Sequence, residues 1–547
     1  MENALSIQQQ TKDLIDRLKS TTSVNGLGNS GNEYVVIVQI FLYKFLNDKF
    51  VYSAKKAQPE LVEGGKDIYD SLKELSDDDY EFLCSLMEDT VILKKDQLIP
   101  FVSSRRNDDN FAKILDSTME GIANENSDVF FIVNEDESRV PIIKPISDLV
   151  SGGAPKKNAF CKSLIDDISA FSFESIFDAG YDFFSTIFEY LLKDYNSNGG
   201  GTYAEYYTPH SVANIMARLL VDEGKDYRSM KIYDPAAGTG TLLIALAHAI
   251  GENKCAVFTQ DISEKSSTMM MLNLILNGMS ASLSHVIKGN TMTHPYHKDE
   301  NGNLRKFDFV VSNPPFKLDF SDYQNQLKTA DPYKRFFAGV PNIPNKKKES
   351  MEIYLCFFQH VIASIKDGGR GAIVVPTGFL TAQAGIPLKI RKYLVDNKYL
   401  KGVISMPSNI FANTGTNVSV VLMDKAGVNN PVFIDASKLG EETKEGKNKK
   451  TVLKTADVDK IVSTFHEAKA VDEFSVLPSI EDIKSKNYSF SAGQYFEVKI
   501  EHVDITEEEF NQKVKEYTET LDSLFAEGKD LEASIKSALE SLKYENN

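Results

Sequence analysis

Asn313, Pro314, Pro315 and Phe316 stand together at the end of a short apolar run, Phe307-Asp308-Phe309-Val310-Val311-Ser312. The run reads as a buried strand. Two prolines stop it, because neither can donate to a sheet ladder and each holds the preceding residue extended. A rigid loop at the carboxyl end of a strand is where open α/β sheets bind their ligands. The Asn313 amide oxygen and the Pro314 carbonyl oxygen are two close acceptors, with the Phe316 ring next to them in the chain. An exocyclic amino group on a planar ring has two N–H donors and a π-face, which this loop matches. Holding both hydrogens leaves the nitrogen lone pair to attack an electrophile. A Pro-Pro turn with a chance Asn carries the same four letters, so the reading depends on what lies upstream.

Upstream, Met230 to Asp234 reads as a strand, Pro235-Ala236-Ala237-Gly238-Thr239-Gly240-Thr241 as a glycine turn, and Leu242 to Ile250 as a helix. Such a turn lets backbone approach a ligand closely, and the helix N-terminus adds positive potential. No Gly-Lys-Ser/Thr follows, so it is not a Walker loop, and the third glycine of the dinucleotide fingerprint is missing. A second strand, Cys255 to Asp261, ends in an acid 21 residues beyond Gly240. That is where a ribose is held by its two hydroxyls. After a helix over Thr268 to Leu276, a third strand, Ser284 to Lys288, ends at Gly289-Asn290-Thr291, and the Asn-Pro-Pro-Phe strand is the fourth. Four consecutive strands thus end in polar or glycine residues on one edge of a sheet.

The rest of the chain must carry these loops. At 547 residues it is long enough for two or three domains with large cores. Its 42% hydrophobic and 25% charged residues are those of an ordinary soluble globular protein. Neither a membrane-spanning run nor a signal layout is present, and four scattered cysteines predict reduced thiols in a cytoplasmic protein. Neither the cysteines nor the eight histidines show metal-ligand spacing. The net charge of −17 argues against gripping a phosphate backbone over the whole surface. Local basic stretches, Lys346-Lys347-Lys348 and Lys444 to Lys450, or a partner, would have to supply that contact. Solvated loops are the plainer account of both stretches.

Residues 1–160 read as mainly helical, with Val35 to Phe50 an aromatic-rich helix and Asp128 to Val133 strand-like. An amphipathic helix over Ala179 to Tyr195 ends at Gly199-Gly200-Gly201, a mobile hinge. Glu205-Tyr206-Tyr207-Thr208-Pro209 then precedes an apolar helix, Val212 to Leu220, and Thr before Pro is also a common helix start. Gly368 to Leu380 and Val403 to Met423 add strands to a sheet of the seven-stranded type. In the tail, Phe510, Val514, Tyr517, Leu521, Leu524, Leu531, Ile535, Ala538 and Leu542 keep coiled-coil register, with Gly528 expected to weaken or bend it.

On these motifs the sequence resembles the S-adenosylmethionine-dependent amino methyltransferases that act on adenine in DNA. Asp234 to Gly240 looks like their cofactor motif and Asn313 to Phe316 like their catalytic motif. More narrowly it resembles the modification (M) subunit of type I restriction-modification systems. That resemblance spans nearly the whole chain and includes Gly368 to Leu380, Met406-Pro407, Phe411, Thr414 to Met423 and Asn487 to Tyr495. It implies an α/β fold: a Rossmann-like methyltransferase sheet with an N-terminal helical domain and a C-terminal helical, coiled-coil-like tail. The corresponding segments are 1–160, 161–480 and 481–547.

The resemblance also implies roles. Asn313 and Pro314 would accept from the amino group, with Pro315 stiffening the loop and Phe316 stacking on the base. Tyr206, Tyr207, Thr208 and Pro209, with Glu205 beside them, would line the methionine end of the cofactor. Asp234 heads the cofactor motif, Gly238, Thr239 and Gly240 would approach through backbone, and Asp261 would take the ribose hydroxyls. Asn290 stands where many relatives carry Asp, at the cofactor's adenine. The donor brings an activated methyl, so no metal is required. The implied partners are double-stranded DNA, a specificity (S) subunit shared by two M copies, and a restriction/translocase (R) subunit. Neither a helicase P-loop nor a nuclease carboxylate–lysine cluster is seen, so cutting and translocation would lie elsewhere. An RNA-base or protein-glutamine methyltransferase, or a non-catalytic cofactor-binding scaffold, are the alternatives.

Overall fold

A computed structural model describes residues 2–28, 30–87, 91–174, 177, 208–411, 417–445, 448–496 and 505–540. The expected helix over 179–195, the glycine run 199–201, Glu205, Tyr206, Tyr207, and Thr414 to Thr416 lie outside these residues. Residues 1–496 form one compact unit and 497–547 a second. Among the described residues, no helix is long and apolar enough to cross a membrane.

Eleven strands of the first unit make one sheet. In chain order they are β1 (Phe131–Asn134), β2 (Arg139–Pro141), β3 (Met230–Asp234), β4 (Cys255–Asp261), β5 (Val286–Lys288) and β6 (Phe307–Ser312). Then come β7 (Ile365–Pro376), β8 (Leu400–Ser405), β9 (Val418–Asp424) and β10 (Val432–Asp435). A separate hairpin, β11 (Glu441–Glu445) and β12 (Asn448–Val452), precedes β13 (Ser475–Val476). The sheet order is β13-β10-β8-β9-β7-β6-β3-β4-β5-β1-β2. β3, β4, β5, β6 and β7 pair in parallel, while β9 runs antiparallel between β7 and β8. The seven strands from β5 to β8 in that order are the expected sheet, extended at both edges.

Side-chain alternation builds the layers. Ile232, Val257, Phe309 and Val311 face one core with the N-terminal helices and the helices His210–Leu220, Thr241–Ile250 and Glu264–Leu276. Their neighbours Tyr233, Phe258 and Val310 face the other core, under Tyr354–Ser364 and Gly385–Asp396. Strands buried on both faces are uniformly apolar, which is why β6 and β9 carry continuous hydrophobic runs.

One feature differs from the sequence reading. The strand expected at Asp128 to Val133 is Phe131–Asn134, and its hairpin joins the central sheet: β1 pairs parallel with β5, Val133 opposite Ile287. A short strand with no chemical motif gives no sequence sign of which edge it will extend. In the second unit, the helix Glu507–Glu540 runs continuously through Gly528.

Candidate active site

The order of the strands reverses between β3 and β6, because β4 and β5 lie on one side of β3 and β6 on the other. Open α/β sheets bind ligands at the carboxyl ends flanking such a switch point. Asp234 ends β3 and Ser312-Asn313 ends β6, so both sequence motifs arrive there. The two strands are stitched across the switch: Ser312 Oγ donates to Asp234 Oδ1 at 3.0 Å, and the Ala236 N–H donates to the same oxygen at 2.9 Å. Asp234 is 1% exposed, and burial pushes its carboxyl up to about 7 against the pull of those two hydrogen bonds.

The glycine turn is held from three sides. Gly238 N–H donates to Asp261 Oδ2 at 2.9 Å, and Asn273 Nδ2 donates to the Thr239 carbonyl at 3.1 Å. Thr291 Oγ1 donates to the Pro235 carbonyl at 2.7 Å. Gly240 caps the helix Thr241–Ile250 at φ +86, and a Cβ there would come within 1.9 Å of Met270 Sδ. Both backbone conformation and space therefore demand glycine. Asp261 Oδ1 also accepts from the Ser263 N–H at 2.8 Å, and burial outweighs these donors in raising its carboxyl pKa.

Asn313 is buried at 9% exposure, and its Nδ2 donates to Thr208 Oγ1 at 3.0 Å. Thr208 does not cap the helix that follows. Pro209 is the N-cap of His210–Leu220, and no side chain caps it. The helix-start account of Thr208 is thereby corrected: its hydroxyl is engaged by the Asn. With Nδ2 committed, Asn313 Oδ1 is the atom left to accept from an incoming donor. Pro314 is buried, and Pro315 and Phe316 are half-buried. The Phe316 ring meets Tyr354 edge-on, centroids 6.2 Å apart at 77°.

Thr208, Asp234, Ala236, Ala237, Thr239 and Asn313 line one small cavity of about 10 Å³. The loop suited to an amino group and the loop suited to a cofactor therefore open into the same space. A buried carboxylate at this point fits a cationic ligand, and the Gly238–Gly240 backbone admits one closely, so the residues present suit an amino-acid sulfonium cofactor. Asn290 lies at the end of β5, its N–H donating to Glu135 Oε2 at 2.8 Å and its Oδ1 accepting from the Met292 N–H at 3.0 Å. Of the expected site residues, Thr208, Pro209, Asp234, Gly238, Thr239, Gly240, Asp261, Asn290 and Asn313 to Phe316 are thus gathered along one sheet edge. Glu205, Tyr206 and Tyr207 fall outside the described residues.

Several supporting residues carried no sequence signal. Arg335, 2% exposed and paired with Asp331 at 2.9 Å, donates to the carbonyls of Thr291 and Met292 at 3.1 and 2.6 Å. It fixes the loop after β5 from a segment more than forty residues away. Ser312 adjoins the motif, and a hydroxyl directly after the apolar run Phe309-Val310-Val311 was its one visible cue.

The N-6 DNA Methylase family model matches residues 179–504. The type I restriction enzyme MpnII methylase subunit of Mycoplasma pneumoniae is 26% identical over 566 residues, covering 99% of this chain and 97% of that protein. The type I restriction enzyme MjaIX methylase subunit of Methanocaldococcus jannaschii is 25% identical over 533 residues, covering 94% and 88%. In fold, the chain is similar to the crystal structure of a type I restriction-modification methyltransferase subunit from Streptococcus thermophilus. The TM-score is 0.71 at 22% identity, covering 90% of this chain and 100% of that one.

Proposed function

The chain belongs to the N-6 DNA methylase family, a methyltransferase with S-adenosylmethionine as donor, and on that premise we propose that it is the modification subunit of a type I restriction-modification system. Its reaction is transfer of a methyl group to the N6 amino group of an adenine in DNA. The observation that carries the reading is that Asp234 and Asn313 adjoin at the switch point between β3 and β6 and share the lining of one small cavity. Near-full-length likeness to two type I methylase subunits supports the subunit assignment.

When bound, S-adenosylmethionine supplies an electrophilic methyl on a sulfonium. The protein's own residues do the rest by positioning. An adenine inside a duplex cannot reach a recessed loop, so it is flipped out at a cost of a few kcal/mol. Stacking on Phe316 offsets about 1–3 kcal/mol of that. Asn313 Oδ1 and the Pro314 carbonyl accept the two amino hydrogens, while the Asn313 amide nitrogen rests on Thr208 Oγ1. The N6 lone pair is then directed at the donor. Asp234 would face the cationic end of the cofactor, the Gly238–Gly240 backbone would pack along it, and Asp261 would accept from the ribose. Glu205 to Tyr207 would complete the methionine end.

Sequence selection belongs to a separate DNA-reading subunit, in keeping with the net charge of −17. The second unit's helix presents the means of joining it: Phe510, Val514, Tyr517, Leu521, Leu524, Leu531 and Ile535 are all exposed. Two copies of this chain per specificity subunit, an association with a restriction subunit and a cytoplasmic setting complete the proposal.

Labelled methyl transfer to unmethylated DNA, with nucleoside analysis of the product, tests it. The chain is assayed alone and with its co-purified partner. N6-methyladenine formed only with the partner is the expected result. Label in RNA or protein, or efficient site-specific methylation by the chain alone, would overturn the type I reading.

A further inference from the structure

The cofactor reading orders the ligand along the sheet edge, and the strand order says what lies at its far end. The methionine end is at β3 and β6 with Asp234 and Asn313, and the ribose is at β4 with Asp261. The base must then lie at the end of β5 and whatever neighbours it. That neighbour is β1, from the N-terminal region, and it runs parallel to β5, so its carboxyl end reaches the same edge.

The residue just past β1 is Glu135. Its N–H donates to the Lys288 carbonyl at 2.9 Å, which continues the parallel ladder by one step. Its carboxylate folds over Gly289, where an added Cβ would meet Glu135 Oε2 at 2.6 Å, and accepts from the Asn290 N–H at 2.8 Å. The Asn290 side chain is otherwise occupied, with Oδ1 taken by the Met292 N–H.

We propose that Glu135 and the Asn290 backbone N–H together read the adenine edge of the cofactor. One acceptor and one donor, side by side, complement the amino group and N1 of adenine. In this structure the two groups satisfy each other, and the base would insert between them. The inference rests on the cofactor reading above and makes the N-terminal hairpin part of the cofactor site.

Hypoxanthine reverses both groups of that edge, so the test compares S-adenosylhomocysteine with S-inosylhomocysteine by calorimetry on the full chain. Wild type is expected to prefer the adenosyl ligand by at least about 10-fold, the scale of a charge-assisted hydrogen bond. Glu135→Ala should weaken the adenosyl ligand about 10-fold and bring the two ligands close together in affinity. Glu135→Gln, whose amide can accept or donate, should bind both with reduced discrimination. A residue that only shaped the loop would weaken both ligands alike. Glu135→Ala keeping the wild-type ratio, while Asp261→Ala weakens both ligands, would overturn this inference and leave the cofactor reading standing. Binding of neither ligand by wild type would overturn both.

Discussion

The Asn313 side-chain amide donates through Nδ2 to Thr208 Oγ1 at 3.0 Å, joining the end of β6 to the start of the helix His210–Leu220. In this arrangement Oδ1 is left for an incoming amino group, whereas a flipped Asn would present a donor to that group and repel it. Thr208→Val keeps the volume and removes the acceptor. It is expected to lower kcat about 10-fold, and Thr208→Ser should restore most of the rate. A valine variant with full activity would refute the orienting role.

Asn313→Ala removes the acceptor itself. Deleting one preorganised group of this kind costs about 100- to 1000-fold in kcat. Cofactor binding should stay close to wild type by calorimetry, because Asn313 contributes to the target side of the cavity. A non-catalytic scaffold would show no methylation in wild type to lose.

Asp234 is expected to link cofactor binding to pH. Burial lifts its carboxyl from the ordinary 3.8 to about 7. Between those two values the native protein holds a proton that the unfolded chain releases, so this group's contribution to stability falls as pH rises through that window. Asp234→Asn should therefore melt higher than wild type at pH 8, with the difference fading toward pH 4. Its cofactor affinity should drop, because a neutral amide cannot pair with a cation. In wild type, affinity should decline as pH is lowered from 8 to 6, where the carboxyl protonates. Isothermal titration at several pH values would show a flat profile if Asp234 did not face the cofactor's charge.

Lys346, Lys347 and Lys348 are exposed, in a segment whose end is tied beside the catalytic loop by the Leu318 N–H donating to the Met351 carbonyl at 3.0 Å. If they meet the phosphate backbone, replacing all three by Ala should weaken DNA binding by the assembled enzyme equally across sequences. The slope of log affinity against log salt should fall by about 2 to 3. An unchanged slope would return these lysines to the role of solvated loop.

The helix Glu507–Glu540 exposes Leu521 and Leu524 on its coiled-coil seam. Replacing both with Asp should abolish co-purification with the DNA-reading subunit while leaving cofactor binding by this chain intact. Retained assembly would place the joint elsewhere.

The sequence by itself determined the chemistry-bearing loops and their strands. Hydrophobic runs, prolines and glycines act locally, so β3, β4, β5 and β6 and the turns after them could be placed within a few residues. Asp234, Gly240, Asp261 and Asn313 were legible for the same reason. Only the tertiary structure decided how these loops are held. Arg335 on the Thr291 and Met292 carbonyls, Met270 against Gly240, and Glu135 on Asn290 are contacts between segments far apart in the chain. None has a periodicity or motif, because what selects each residue is the shape and hydrogen-bonding demand of a partner that exists only once the sheet has formed. The N-terminal hairpin is the clearest case. Its strand propensity is local, but its place beside β5 depends on an open sheet edge built by residues more than 140 positions later.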